Sequence, residues 1–319
     1  MLQILTKRLI GLIFVIFVVT FITFTMGFYA PGNPIATLMG DHPNAVLEAQ
    51  LRHAYGLDLP FWQQYFNFLV SLVKFNFGTS FKYQGRAVVD VLKDGFPISL
   101  ELGLWTLILW FVTGIPLGIL SALKANTWID TASMGVALAV YALPIFVLAV
   151  LVRIFIVSID KSLGLSWPVA QWGTPWLYDW DNLQYKIAPI FVFWTGGMAF
   201  IARLTRTSMM EVLKQDYVRT ARAKGLQEKF VIYRHALRNA MIPLITVLGP
   251  TLGLLVTGGF FIELIFSLPG VASIAIGAIN DLDYPVIQAT VVLLAILVVL
   301  GNLISDILYT VVDPRIKAA

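Results

Sequence analysis

Gln215-Asp-Tyr-Val-Arg-Thr-Ala-Arg-Ala-Lys-Gly225-Leu-Gln-Glu-Lys-Phe-Val-Ile-Tyr-Arg-His-Ala-Leu-Arg-Asn-Ala-Met-Ile-Pro243 is a polar, cationic run set between two apolar windows, Ile187 to Ala202 and Asn239 to Ile262. Its two helix-forming halves meet at Gly225. Glycine there permits a positive φ, so the segment is predicted to be helix, sharp turn, helix. Apolar Ala221, Ala223 and Leu226 stand between basic Arg219, Arg222 and Lys224, a surface suited to a groove on a soluble partner. The same cations suit anionic lipid headgroups. From the residues alone both readings stand.

The windows on either side decide the class. Further charge-free windows run from Leu102 to Leu123, Thr131 to Val152 and Tyr284 to Ser305, each long enough for a helix across about 30 Å of hydrocarbon. An apolar run from Leu9 to Phe28 follows Lys7 and Arg8. It is long for a secretory signal core and leads into Ala30-Pro31, a poor cleavage site, so it reads as a retained anchor. Ile187 to Ala202 is about sixteen residues but rich in aromatic side chains, and it counts as a span. The expectation is an all-α integral membrane protein with about six transmembrane helices. From Asn239 to Asn280 only Glu263 is charged, and Ser267-Leu-Pro-Gly270 interrupts with turn residues. One helix and a membrane-hugging excursion are expected there.

Composition agrees. Hydrophobic residues make up 58% and charged residues 13% of 319, with a mean hydropathy of +0.82, which leaves too little polar surface to coat a soluble globule. Cysteine is absent, which removes disulfides, zinc-thiolate sites and thiol nucleophiles. With six crossings, one side carries Lys7, Arg8, Lys124, nine Lys/Arg from Arg203 to Arg238, Arg315 and Lys317, fourteen in all. The other carries seven, namely Arg52, Lys74, Lys82, Arg86, Lys93, Lys161 and Lys186. The positive-inside rule puts both termini in the cytoplasm. The outside segment 29–97 is expected to form a small helical cap, or to lay its aromatic residues flat at headgroup level.

Pro116, Pro144, Pro189, Pro243 and Pro250 lie in or at the ends of spans, and Gly114-Ile-Pro-Leu-Gly118 and Gly249-Pro-Thr-Leu-Gly253 mark close helix contacts. Glu101, Arg153, Glu263 and Asp306 fall near span ends, where snorkelling or local pairing accounts for them. No inverted repeat and no broken helix pair is expected, which together with the lack of mid-span carboxylates speaks against an ion-coupled carrier. His42, His53 and His235 share no helical face, no Gly-x-Ser-x-Gly or His-Glu-x-x-His occurs, and no Gly-Lys dipeptide offers a P-loop.

Tyr217-Val-Arg-Thr-Ala-Arg-Ala-Lys-Gly225 resembles the coupling loop of the permeases of ABC importers of the dipeptide, oligopeptide and nickel branch. The general pattern is Glu-Ala-Ala, three residues, Gly, nine residues, Ile-x-Leu-Pro. Ala221, Gly225 and Leu237 match its second alanine, glycine and leucine. Arg219, Thr220, His235 and Arg238 depart from its glutamate, first alanine, isoleucine and proline. The resemblance extends to Lys7-Arg8 through Ala30-Pro31-Gly32-Asn33-Pro34, Tyr55-Gly-Leu-Asp-Leu-Pro60 with Gln64-Tyr65, and Phe77-Gly-Thr-Ser80. It continues in Glu263-Leu-Ile-Phe-Ser-Leu-Pro-Gly270, Asp283-Tyr-Pro-Val286, Asn302 to Asp306 and Asp313-Pro-Arg315.

The resemblance implies a type I importer in a prokaryotic cell (inner) membrane, this chain being similar to the B-type permease. It implies a homologous C-type permease, two cytoplasmic ABC ATPases and an extracytoplasmic solute-binding protein as partners, with membrane lipid around it, no nucleic acid and no cofactor. The coupling residues it implies are Arg219, Thr220, Ala221, Arg222, Ala223, Lys224, Gly225, Leu226, His235, Leu237 and Arg238. It further implies an N-terminus and first span at 1–28, the outside segment at 29–97, a transmembrane domain at 98–311 with its coupling loop near 203–240, and a tail at 312–319. ATP hydrolysis is expected on separate subunits. Peptides are the expected solute, with nickel, glutathione or oligosaccharide as alternatives. An ion-coupled carrier or a membrane scaffold is the alternative of another class.

Overall fold

Backbone amides and carbonyls cannot go unpaired in hydrocarbon, so a spanning chain must close its hydrogen bonds within helices or a barrel. This chain uses helices. The structure, a computed structural model, describes residues 2–30, 32–33, 35, 39, 44–83, 85–164 and 166–312, with side chains except at 2–9, 252–258 and 309–312. Pro31, Pro34, His42, Asp313-Pro-Arg315 and the remaining tail lie outside the described residues. Among the described residues the one extended pairing is the isolated bridge between Thr79 and Ala87.

The helices are α1 (Leu2–Tyr29), α2 (Ala45–Ala54), α3 (Phe61–Val73), α4 (Val88–Leu123), α5 (Trp128–Ala142), α6 (Ile145–Leu163), α7 (Trp180–Leu213), α8 (Asp216–Ala223), α9 (Leu237–Gly258), α10 (Phe260–Ile265), α11 (Val271–Asn280) and α12 (Tyr284–Val312). Four contain stretches long and apolar enough to cross a membrane: Ile10–Tyr29, Val88–Leu123, Trp180–Leu213 and Tyr284–Leu308. The α5–α6 pair makes a fifth if it is one span. The 22 residues of α9 rise about 33 Å, enough to cross by length.

Several helices differ from their hydropathy windows. α4 starts at Val88, well before Leu102, because a hydropathy window stops at the first charge whereas a helix need not. Its first turns carry Asp90, Lys93 and Asp94; Lys93 lies 3.6 Å from Asp90, and Arg86 donates to Asp94 at 2.6 Å. The window from Thr131 to Val152 is not one helix. It bends by 96° between α5 and α6, so a broken pair is present where none was expected. Leu143 is extended, at φ −75° and ψ 127°, as the residue before a proline prefers, and Pro144 has no N–H with which to continue α5. Pro243 and Pro250, by contrast, are carried inside α9.

The chain divides into two compact units, 1–99 with 269–299 and 100–268 with 300–319. In the first, α3 lies along α1 through an aromatic ladder: Phe21 packs on Phe61, Trp62 and Tyr65, and Phe24 on Phe61, Tyr65 and Phe68. The Tyr65 hydroxyl donates to the Phe17 carbonyl at 3.2 Å. Ser80 and the Lys82 amide donate to Asp283, just before α12, and Lys82 pairs with Asp281.

In the second unit, α4 and α7 approach through glycine. A Cβ on Gly118 would lie 2.5 Å from the Ala202 carbonyl, and one on Gly197 would enter the Trp110 ring at 1.8 Å. The Gly114/Gly118 spacing therefore finds its partner helix within this chain. Gly249 likewise faces α12, where Ser305 donates to the Ile245 carbonyl at 2.6 Å.

Glu101 and Lys186 meet in this unit at 2.7 Å with both side chains fully buried. Trp172 Nε1 and the Trp176 amide donate to the other Glu101 oxygen, at 2.8 and 2.9 Å, and Lys186 also donates to the carbonyls of Thr174 and Leu177. The pair thus staples the segment between α6 and α7. Removing one member of such a pair strands its partner's charge. Lys186→Met is expected to destabilise the protein by about 3–5 kcal/mol, and adding Glu101→Gln to restore much of that. Thermal unfolding of the single and double variants in one detergent checks both.

Candidate functional site

The segment after α7 is a small folded unit. In α8, Asp216 sits in the first turn, where a carboxylate complements the helix dipole, and Thr220 Oγ1 donates to the Asp216 carbonyl at 2.9 Å. α8 ends in a Schellman turn: the Leu226 amide donates to the Ala221 carbonyl and the Gly225 amide to the Arg222 carbonyl. Gly225 adopts φ +76°, the left-handed conformation that favours glycine, and no atom lies within 4 Å of where its Cβ would be. Residues 228–230 then form a short helical turn, Val231–Ala236 a π-helix, and α9 follows. π-Helical turns are frequent at functional sites.

Two clusters hold this unit to the spans. Val218 and Ala221, three residues apart on one face of α8, pack on Val231 with Val212 and Leu213. Ile232, Ala236 and Ala240 pack on Ile119 and Ala122 of α4 and Met209 of α7. Asn239 donates to the Tyr217 hydroxyl at 2.7 Å, and Ser208 to the Ala240 carbonyl at 3.0 Å. Nearby, Arg206 of α7 grips Asp130 of α5 with two hydrogen bonds of 2.7 Å, while Ser121 and the Asn126 amide donate to the same carboxylate. The ends of α4, α5, α7 and α9 are therefore bound to one another around this segment.

Arg219, Thr220, Arg222, Ala223, Lys224, Gly225, Leu226 and Arg238 are exposed, and His235 and Leu237 are half-buried. Ala221 is the exception to the reading of an apolar surface between cations, since it faces Val218 and Val231 inside the unit. The exposed stripe also continues where the sequence reading did not follow it. Lys229, Phe230, Tyr233 and Arg234 are exposed, with Phe230 and Tyr233 more than half so. Two aromatics interleaved with two cations at helical spacing is the signal that marks them. Across the turn, Arg222 donates to Glu228 at 2.8 Å. That hydrogen bond holds the Glu228 carboxyl below its ordinary range and raises Arg222. Among the described residues no cluster of three His, Cys, Asp or Glu could hold a metal.

A family profile described as "Binding-protein-dependent transport system inner membrane component" matches residues 114–318, and its N-terminal companion matches 1–103. The chain belongs to this family. The dipeptide transport system permease protein DppB of Bacillus subtilis (strain 168) is 38% identical over 98% of this chain and 96% of its own length. DppB of Escherichia coli (strain K12) is 38% identical over 99% of each chain. The oligopeptide transport system permease protein AppB of B. subtilis is 36% identical over 94% of each. In fold, the chain is similar to inward-facing structures of the MetNI methionine ABC transporter, with a TM-score of 0.55 at 19% identity, covering 70% of this chain and 97% of that one.

This permease is a membrane-embedded transport component with the fold of an ABC importer subunit. Membership implies ATPase and binding-protein partners, and the folded segment at 216–240 lies within the larger matched region.

The Glu228 carboxyl is depressed by its bridge, so the bridge contributes above the ordinary carboxylate pKa and is lost as pH falls through the lowered value. Both partners are about half exposed, which limits the gain to under about 1 kcal/mol. Amide exchange of residues 222–228, corrected for intrinsic rates, is expected to rise modestly as pH drops below about 4. Glu228→Gln is expected to abolish that dependence.

Proposed function

We propose that this permease forms one half of the pathway of an ATP-driven importer of di- and oligopeptides, and that cytoplasmic ATPases grip the segment from Arg219 to Arg238. A related C-type permease supplies the other half, and an extracytoplasmic binding protein delivers the solute. With six crossings, the fourteen-to-seven imbalance of Lys/Arg between the two sides supports both termini in the cytoplasm, and the family's description supports a prokaryotic inner membrane. Near full-length identity of 36–38% to dipeptide and oligopeptide permeases supports the solute class.

The observation that carries the coupling role is the combination of an exposed cationic surface with a buried attachment. Arg219, Arg222 and Lys224 face outward from α8, while Val231, Ile232 and Ala236 just beyond the turn are buried against the ends of α4 and α7. A push on the turn at Gly225 cannot be absorbed by the segment alone. Closely packed cores transmit strain, so the displacement passes to α4, α7 and α9, and through Arg206–Asp130 to α5. ATP-driven closure of the ATPases would in this way rock the spans between inward-open and outward-open states.

Gly225→Val tests the assignment. A β-branched residue at φ +76° costs of order 1–3 kcal/mol, a fall of about five- to a hundredfold or more in any step that needs the native turn. ATP-dependent dipeptide uptake in proteoliposomes is expected to fall in that range, and Gly225→Asn, which tolerates the conformation, to lose less. Unchanged uptake with intact assembly would remove the coupling role from this turn. Wild-type uptake that persisted without ATP but collapsed with the ion gradient would remove the importer reading.

A further inference from the structure

Within the first unit, α1, α3, the start of α4 and α12 enclose an apolar cavity of about 750 Å³. Its inner wall includes Leu69 and Leu72 of α3, Leu92 of α4, and Val292 and Leu293 of α12, and its one charged lining residue among those described is Lys93. The mouth opens beside Ile13, Phe17, Val73 and Phe75, all strongly exposed, with Val73 and Phe75 nearly four-fifths so.

Three observations say what surrounds that mouth. α1 is a spanning helix whose most apolar stretch is only 11% buried, so the face that carries Ile13 and Phe17 belongs to the hydrocarbon-facing wall. α3, at thirteen residues too short to cross, presents Trp62, Phe66 and Val73 outward and confines its polar residues to a stripe of Gln63, Gln64, Asn67 and Ser71. Packed lengthwise on a spanning helix by the aromatic ladder, α3 turns this apolar face to the same hydrocarbon as the exposed face of α1. An unfilled apolar cavity forfeits contacts along its whole lining, and one open to lipid is filled by lipid.

The rim adds charge. Lys93 is largely exposed and its ammonium stands 3.6 Å from Asp90, too far for a hydrogen bond, which leaves donors for another anion. Lys74, also exposed, lies between Val73 and Phe75 at the mouth.

We propose that this cavity seats an acyl chain of an anionic glycerophospholipid, with the lipid phosphate held by Lys93 at the rim. The site shares no residue with the proposed coupling segment and rests only on the membrane placement of the chain. The ladder between α1 and α3 fixes one wall, so the bound chain becomes part of the packing among α3, α4 and α12.

The test uses phospholipids with a photoreactive acyl chain, one phosphatidylglycerol and one phosphatidylcholine, in proteoliposomes of the wild-type complex, with labelled residues mapped by mass spectrometry. The phosphatidylglycerol probe is expected to label 69–77 and 289–296 several-fold more than the phosphatidylcholine probe. Leu72→Trp, which places a bulky ring on the cavity's inner wall, is expected to reduce labelling by both probes there, while Lys93→Glu removes only the anionic excess. Labelling of Ile10 and Phe14, on the exposed α1 face outside the cavity lining, should not change in either variant. Should Leu72→Trp fail to insert, competition by unlabelled phosphatidylglycerol against phosphatidylcholine in the wild type makes the same distinction. Equal labelling by the two probes, labelling indifferent to both variants, or protection of the cavity by crosslinks to another polypeptide would each overturn the proposal. Loss of ATP-dependent uptake with this labelling pattern intact would count against the transport reading alone.

Discussion

The approach of α4 to α7 is the contact on which the second unit depends. At Gly114, Gly118 and Gly197 an added Cβ would lie within 3 Å of the facing helix, and at Gly197 inside the Trp110 ring. Apolar side chains gain little by leaving lipid for one another, so van der Waals contact between backbones and a few hydrogen bonds must hold such helices together. Trp110 donates to the Phe193 carbonyl and Trp194 to the Thr113 hydroxyl across the same seam, at 3.1 and 2.9 Å. At one end of the seam Glu101 and Lys186 tie down the segment before α7. At the other, Met209, Ile119 and Ala122 receive the π-helical turn.

That arrangement ties a surface segment firmly to the ends of the spans. α8 by itself is eight residues, too short to be stable in water, and it persists because Val218 and Ala221 are buried against Val231 on the far side of the turn. The outward-facing cations contribute little to this stability, since exposed ion pairs such as Arg219–Asp216 at 3.4 Å are worth little. Their positions are thus unconstrained by folding and available for a partner. The inward-facing residues are the ones that cannot change without loosening the connection to α4 and α7.

Much of this was legible in the residues. The apolar windows located α1, α4, α7 and α12, Gly225 marked the turn, and Ser267-Leu-Pro-Gly270 marked the gap between α10 and α11. What escaped depends on distance in sequence. Glu101 and Lys186 are 85 positions apart, and each alone looks like a charge at a span end. Ala221 is small enough to suit either a groove or a core, and only Val231 across the turn decides between them. Pro144 announced an interruption but not a 96° bend, because a proline removes one donor and leaves the angle to the neighbouring helices.

The buried charges also bear on where the energy for transport enters. A carrier driven by protons needs carboxylates that gain and lose protons during the cycle. Glu101 accepts from Lys186, Trp172 and the Trp176 amide, and Asp130 accepts from Arg206, Ser121 and the Asn126 amide. The Glu101 carboxylate is the partner of a fully buried ammonium, and the Asp130 carboxylate holds the clasp between α5 and α7, so each serves the fold. These two carboxylates are committed to holding helices together, an arrangement consistent with the proposed supply of work by partners outside the membrane.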